Sequence, residues 1–345
     1  PLTGTVKIAG AKNAVTKLLV ASLISNKHCS FTNVPDITEV AITVELIREL
    51  GAQVEWNRAK GTISTITPEL ESTYISQRFS GSNRIPILLL GALLGRTDED
   101  IVVPTVGGCN IGKRPVDFHV EALKALGAEI EYRKMKKDGA YFAHAHQGLS
   151  GAHISLSYPS VGATENAILA SVRASGTTVI DNAAIEPEII DIILFLQKMG
   201  ANIHVDVNRR IVIQGTSEFY EVEHRVIPDK IEAASYAIAA ISTKGNVFIE
   251  GASQADMLTF LNHLREVGGG FRVKEDGIEF FYQGPLKGGI HIETDVHPGF
   301  ITDWQQPFAV LLTQAEGCSV IHETVNENRF GYTETLSKMG ADITL

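Results

Sequence analysis

One tripeptide recurs along this chain and limits its fold more than any single residue does. Leu50-Gly51-Ala52 is echoed by Leu126-Gly127-Ala128, Met199-Gly200-Ala201, Val267-Gly268-Gly269 and Met339-Gly340-Ala341. The glycines stand roughly 70 residues apart, longer than a solenoid period. Each closes a run of helical period and precedes a strand-like run, as a C-terminal cap should. The five closed runs span 37–50, 116–126, 187–199, 255–267 and 331–339. Around them the chain alternates in the order β-α-β-α-β-β. That alternation predicts an α/β fold with parallel pairing. Segments 18–24, 167–172 and 236–241 are apolar nearly all round, so they should be buried centrally with sheet outside.

The chain has 345 residues, enough for two domains with ample cores. It shows no basic-then-apolar leader and no apolar stretch long enough to span a bilayer. A net charge of −10 argues against nucleic acid as the main partner. Anionic ligands would then need locally gathered cations. Cys29, Cys109 and Cys318 are an odd number at distant positions without CxxC pairing. They predict a reducing compartment, the cytoplasm, with neither a disulfide framework nor a zinc site. The histidines, including His119, His144, His146 and His297, show no ligand spacing with paired acids. No metal and no cofactor is therefore expected. His119 reads as a solvated helix-face histidine.

The chemistry is expected in the stretch from Gly107 to His119. A strand-like run leads in, an amphipathic run leads out, and Pro115 suits a first helical turn. Between them lie glycines, one thiol and the cations Lys113 and Arg114. A cysteine there would be drawn from its ordinary pKa of about 8.5 towards thiolate. Gly107 to Lys113 also fits a phosphate loop loosely, but Arg114 stands where Ser or Thr should hold magnesium. A third reading makes Cys109 an inert small hydrophobe.

Residues 107–117 read G-G-C-x-I-G-x-R-P-V-D and residues 10–14 read G-A-K-N-A. Both stretches resemble the UDP-N-acetylglucosamine enolpyruvyl transferases, the first their catalytic loop. The resemblance runs unit by unit over the whole chain. It implies an inside-out α/β barrel of six β-α-β-α-β-β units, three per domain, of which five are expected here. It also implies a discontinuous domain of 1–11 plus 229–345 and a second of 12–228 that carries the Cys109 loop. The reaction implied is transfer of enolpyruvate from phosphoenolpyruvate to the 3-hydroxyl of UDP-N-acetylglucosamine, with phosphate released, at the start of peptidoglycan synthesis. The two substrates are the partners implied, with no membrane partner and the oligomeric state left open.

Carried over residue by residue, the resemblance makes Cys109, Asp303 and Lys12 catalytic. Lys12 would hold phosphoenolpyruvate, Asn13 would touch the sugar, and Arg84 and Arg114 would lie near phosphoenolpyruvate. Pro115, Val116, Asp117 and Phe118 would hold the uracil. Ser160, Val161 and Gly162 would bind the diphosphate, although Ser160 equally suits plain helix capping. Val325 and Arg329 complete the set, Arg329 as an organiser more than a ligand. Cys109 would be the target of fosfomycin, whereas Cys29 and Cys318, at matching strand starts, should be buried and inert. Tyr158, Ile85-Pro86 and Lys230 depart from the family pattern. They motivate an alternative, a paralogue with another hydroxylated acceptor. The absent sixth unit motivates a second alternative, a non-catalytic UDP-sugar-binding protein.

Overall fold

The computed structural model describes residues 1–345 except Cys109, Asn110, Lys113, Arg114, Lys136 and Lys137. The first repeat comprises β1 (Thr3–Lys7), α1 (Lys12–Ala21), β2 (Cys29–Thr32), α2 (Thr38–Glu49), β3 (Gln53–Asn57) and β4 (Thr62–Ile66). The second comprises α3 (Ile85–Leu93), β5 (Ile101–Pro104), α4 (Asp117–Ala125), β6 (Glu129–Lys134) and β7 (Gly139–His144). The third comprises β8 (His153–Ser155), α5 (Val161–Ser171), β9 (Thr177–Asp181), α6 (Pro187–Lys198), β10 (Asn202–Asp206) and β11 (Arg210–Gln214). The fourth comprises β12 (Val222–Arg225), α7 (Lys230–Ser242), β13 (Asn246–Glu250), α8 (Leu258–Val267), β14 (Gly270–Lys274) and β15 (Gly277–Phe281). The fifth comprises β16 (His291–Glu293), α9 (Gln305–Leu312), β17 (Val320–His322) and α10 (Thr333–Lys338).

The recurring glycines do what their spacing predicts. Gly51, Gly127, Gly200, Gly268 and Gly340 all have left-handed φ, from +91° to +107°. After each, the next amide donates to a carbonyl five residues back: Ala52 to Ile47, Ala128 to Leu123, Ala201 to Leu196, Gly269 to Leu264 and Ala341 to Leu336. This is one Schellman-type closure used five times, and a Cβ would resist it.

The chain forms two compact units. One holds residues 1–9 and 228–345 together with Ile111 and Gly112, and the other holds the described residues of 10–109 and 115–227. In the latter, three sheets run in the orders β12-β2-β4-β3, β5-β7-β6 and β10-β11-β9-β8. At the centre, helix α3 packs on both α1 and α5. All nine residues of α3 are buried, as are Ala163 to Ser171 of α5. Helices without a polar face can satisfy that composition only by being enclosed.

The former unit has the sheets β1-β13-β15-β14 and β16-β17. Here α7 packs on α9, β13 and β15, and Tyr236, expected to be buried, is exposed on its other face. The opening strands are exchanged between repeats. β1 pairs with β13 of the fourth repeat (Thr3 opposite Asn246), and β12 pairs with β2 of the first (Val222 opposite Cys29). Those pairs are parallel, as are β8–β9 and β16–β17. The remaining neighbours are antiparallel, because the closing strands of the first four repeats are hairpins joined by short turns.

Two expectations about single residues are corrected. Cys29 is buried, but Cys318 is exposed; it precedes β17, a three-residue strand with no buried position. His119 is buried rather than solvated, because α4 packs its face on α5. No helix among the described residues is long and apolar enough to cross a membrane.

Candidate active site

In the unit built around α1, α3 and α5, the G-A-K-N-A turn forms where the chain enters α1. A Cβ on Gly10 would overlap the carbonyl oxygen of Asn33, so only glycine permits this approach. The Ala11 amide donates to the Ile227 carbonyl at 2.7 Å. That bond anchors the turn and presents Lys12 and Asn13 at the helix start. Lys12 is exposed, and its Nζ lies 3.9 Å from Oε1 of Glu39. An exposed pair at that distance contributes at most about 1 kcal/mol.

Beneath this turn lies a group that the motif reading did not include. Lys17 donates to the Asn13 carbonyl at 2.7 Å and stands 3.9 Å from Oε1 of buried Glu165. Burial raises the Glu165 pKa to about 7; Lys17 opposes the shift, while Glu188 and Glu186 add to it. The available signal was Glu165-Asn166 itself, a charge and an amide inside an otherwise apolar helix. Asn166 ties the helices together: its Oδ1 accepts from the Gly91 amide at 2.8 Å, and its Nδ2 donates to the Ile87 carbonyl at 3.0 Å.

The same Nδ2 lies 3.2 Å from Nδ1 of His119. Since the amide nitrogen can only donate, Nδ1 accepts. A Cβ on Gly162 would come within 2.9 Å of His119 Cε1 and 3.0 Å of Nε2. His119 therefore joins the helix that begins at Asp117 to the turn of Ser160, Val161 and Gly162. Ser160 caps α5 by accepting from the Ala163 amide at 3.4 Å, a long bond. The amides beyond it form an anion-binding helix start in kind. Val116 is buried, Phe118 half-buried, and Asp117 exposed in the first turn of α4. Arg84, at the N-cap of α3, donates to the Pro115 carbonyl at 3.3 Å. It also faces Tyr141, whose hydroxyl pKa is raised by burial and by Tyr132, with Arg84 acting against the shift. Arg84, residues 115–118 and residues 160–162 thus form one connected set. Cys109 and Arg114 lie outside the described residues.

In the other unit, Asp303 sits in the short helical turn Thr302–Trp304 and accepts a hydrogen bond from Nη2 of Arg329. Arg329 is nearly enclosed, its side chain 10% exposed against 38% for Asp303. A second residue absent from the motif reading, Glu323, organises the surroundings. Its Oε1 accepts from the amides of Val325 and Asn326 at 2.8 Å. Its Oε2 accepts from Thr302 Oγ1 at 2.8 Å and from Gln305 Nε2 at 2.7 Å. One carboxylate thereby fixes both the Asp303 turn and the Val325 turn. Ile111 reaches this region too, its carbonyl accepting from the Asn328 amide at 3.1 Å. Gly112 has φ +129°, and a Cβ there would lie 2.6 Å from the Glu327 carboxylate.

These features agree with a family comparison over the whole chain. The model described as EPSP synthase (3-phosphoshikimate 1-carboxyvinyltransferase) matches residues 1–345. The chain belongs to the EPSP synthase family. Among its relatives in that family, a UDP-N-acetylglucosamine 1-carboxyvinyltransferase of Protochlamydia amoebophila (strain UWE25) is 70% identical over 344 residues, covering 100% of this chain and 74% of that protein. A protein of the same name from Chlamydia abortus (strain DSM 27085 / S26/3) is 60% identical over 345 residues, covering 100% and 77%. The crystal structure of the enolpyruvyl transferase NikO from Streptomyces tendae superposes with a TM-score of 0.88 at 22% identity, covering 100% of this chain and 80% of that one. At that identity the likeness concerns the fold. It is the enolpyruvyl transferase fold, with central helices and outer sheets.

Proposed function

We propose that this chain transfers enolpyruvate from phosphoenolpyruvate to the 3-hydroxyl of UDP-N-acetylglucosamine and releases phosphate, the first committed step of peptidoglycan synthesis. One observation carries the reading: 70% identity over 344 residues to a protein named for that activity. The family description names 3-phosphoshikimate instead. The loop G-G-C-x-I-G-x-R-P-V-D favours the UDP-sugar, because the shikimate branch lacks the cysteine loop.

In this reading Lys12, Arg84 and Arg114 meet the phosphate and carboxylate of phosphoenolpyruvate, so cationic side chains hold its charge. Residues 115–118 receive the uracil and residues 160–162 the diphosphate. The contact of His119 with both stretches supports their acting together. Asp303, oriented by Arg329, takes the proton of the acceptor hydroxyl as its oxygen bonds to C2 of phosphoenolpyruvate. Cys109 delivers a proton to C3. Phosphate then leaves as C3 gives up a proton and the double bond returns. We assign the reaction to the cytoplasm, in keeping with the free thiols Cys29 and Cys318.

Phosphate release with phosphoenolpyruvate, tested separately with UDP-N-acetylglucosamine and shikimate 3-phosphate, decides the matter. Release is expected with the UDP-sugar alone. Release with shikimate 3-phosphate alone, or with neither acceptor, overturns the proposal.

A further inference from the structure

At one end of the β5-β7-β6 sheet, three strands bring together side chains that are far apart in sequence. His144 closes β7, and Glu129 stands opposite it on β6. On the other side Ile101 pairs with Ala143, so Asp100 approaches His144 from the start of β5. His146 follows two residues after His144, and their rings stack with centroids 3.9 Å apart at 17°. One ligand atom each from Asp100, His144 and His146 lies within 4.8 Å of the others. Nε2 of His146 is 3.7 Å from Oδ1 of Asp100, and Nε2 of His144 is 3.7 Å from Oε2 of Glu129.

The hydrogen bonding of the two rings adds to the proximity. Nδ1 of His146 lies 2.9 Å from the Asp98 carbonyl oxygen. A carbonyl can only accept, so Nδ1 carries a proton, and Nε2 is the ring nitrogen on the side of Asp100. A backbone carbonyl that fixes the tautomer in this way is the usual support of a metal-bound histidine. Nδ1 of His144 is buried with no hydrogen-bond partner among the described atoms. Asp98, Glu99, Asp100 and Glu129 add negative charge, and Asp100 and His146 are exposed, so a cation meets no barrier.

We propose that Asp100, His144 and His146, with Glu129 in reach, bind a divalent transition metal of the zinc type. Imidazole donors select that class over magnesium or calcium, and two histidines with a carboxylate and water complete a four-coordinate set. Metal–ligand distances of about 2.0–2.2 Å require the side chains to close inward and the two stacked rings to turn until their nitrogens converge on one ion. Asp100 precedes β5, whereas the loop of residues 107–117 follows it. The ion therefore ties β5, β7 and β6 together at the end away from that loop, and its role is structural.

Cobalt(II), titrated into the full chain and followed by its visible d–d absorption, tests the site. One equivalent is expected to bind with a nitrogen–oxygen spectrum, to be displaced by zinc, and to raise Tm. The exposed His146→Gln substitution should weaken binding by about tenfold or more and remove the rise in Tm; Asp100→Asn should weaken it in the same direction. His146→Gln leaves the core untouched, so its folding can be verified by Tm without metal. Absence of binding, equal binding by wild type and His146→Gln, or a thiolate-to-cobalt charge-transfer band would each overturn the assignment.

Discussion

Lys17 Nζ stands 3.9 Å from Glu165 Oε1, and the glutamate side chain is 2% exposed. The separation is too long for a hydrogen bond, and burial outweighs the attraction, which leaves the Glu165 pKa at about 7 against an ordinary 4.5. Between those values the native state holds more protons than the unfolded state. Stability from this group is therefore fully present below about pH 4.5 and is lost as pH rises through about 7.

Glu165→Gln should remove that dependence. Relative to the variant, the wild type is expected to lose up to roughly 3 kcal/mol across the window. Urea unfolding of both proteins at a series of pH values measures the difference. A difference that stays flat with pH would mean that Glu165 titrates as an ordinary carboxylate.

Arg329 is expected to act by positioning Asp303. Arg329→Ala should cost about 2 kcal/mol of transition-state stabilisation, roughly thirtyfold in kcat, with a smaller change in KM for the UDP-sugar. Arg329→Lys should recover only part of the loss, because an ammonium lacks the planar fork. Steady-state phosphate release provides both constants. Wild-type kcat in Arg329→Ala would rule out the positioning role.

The three thiols should separate by reagent. Burial, with Glu221 adding to it, pushes the Cys29 thiol up to about 12, so Cys29 should alkylate only after unfolding. Exposed Cys318 should react with iodoacetamide in the native protein. Fosfomycin, an epoxide that mimics phosphoenolpyruvate, should instead label Cys109 alone, and Cys109→Asp should abolish that label. Peptide mass spectrometry reads all three sites; fosfomycin on Cys318 would show that exposure, not the loop, governs reactivity.

Much of this protein is written locally. A left-handed glycine ends a helix wherever it stands, so Gly51, Gly127, Gly200, Gly268 and Gly340 announce five helix ends before any contact is known. The fully apolar run of α3 likewise dictates enclosure. The turn at Lys12 and Asn13 and the loop through Cys109 were readable because their residues are contiguous.

What the sequence determined, then, is the alternation of elements, their ends, the central helices of one unit and the two short motifs. Tertiary structure alone decided which strands β1 and β12 pair with in the exchange between repeats. It also decided the burial of His119 against Gly162 and Asn166, the hold of Arg329 on Asp303, and the meeting of Asp100 with His144 and His146. Cys29 and Cys318 occupy matching places in the repeat, yet only Cys29 is covered. Backbone conformation and periodicity are properties of neighbours in the chain. Burial, hydrogen-bond partnership and charge depend on which distant segments pack above a residue, and no local pattern carries that information.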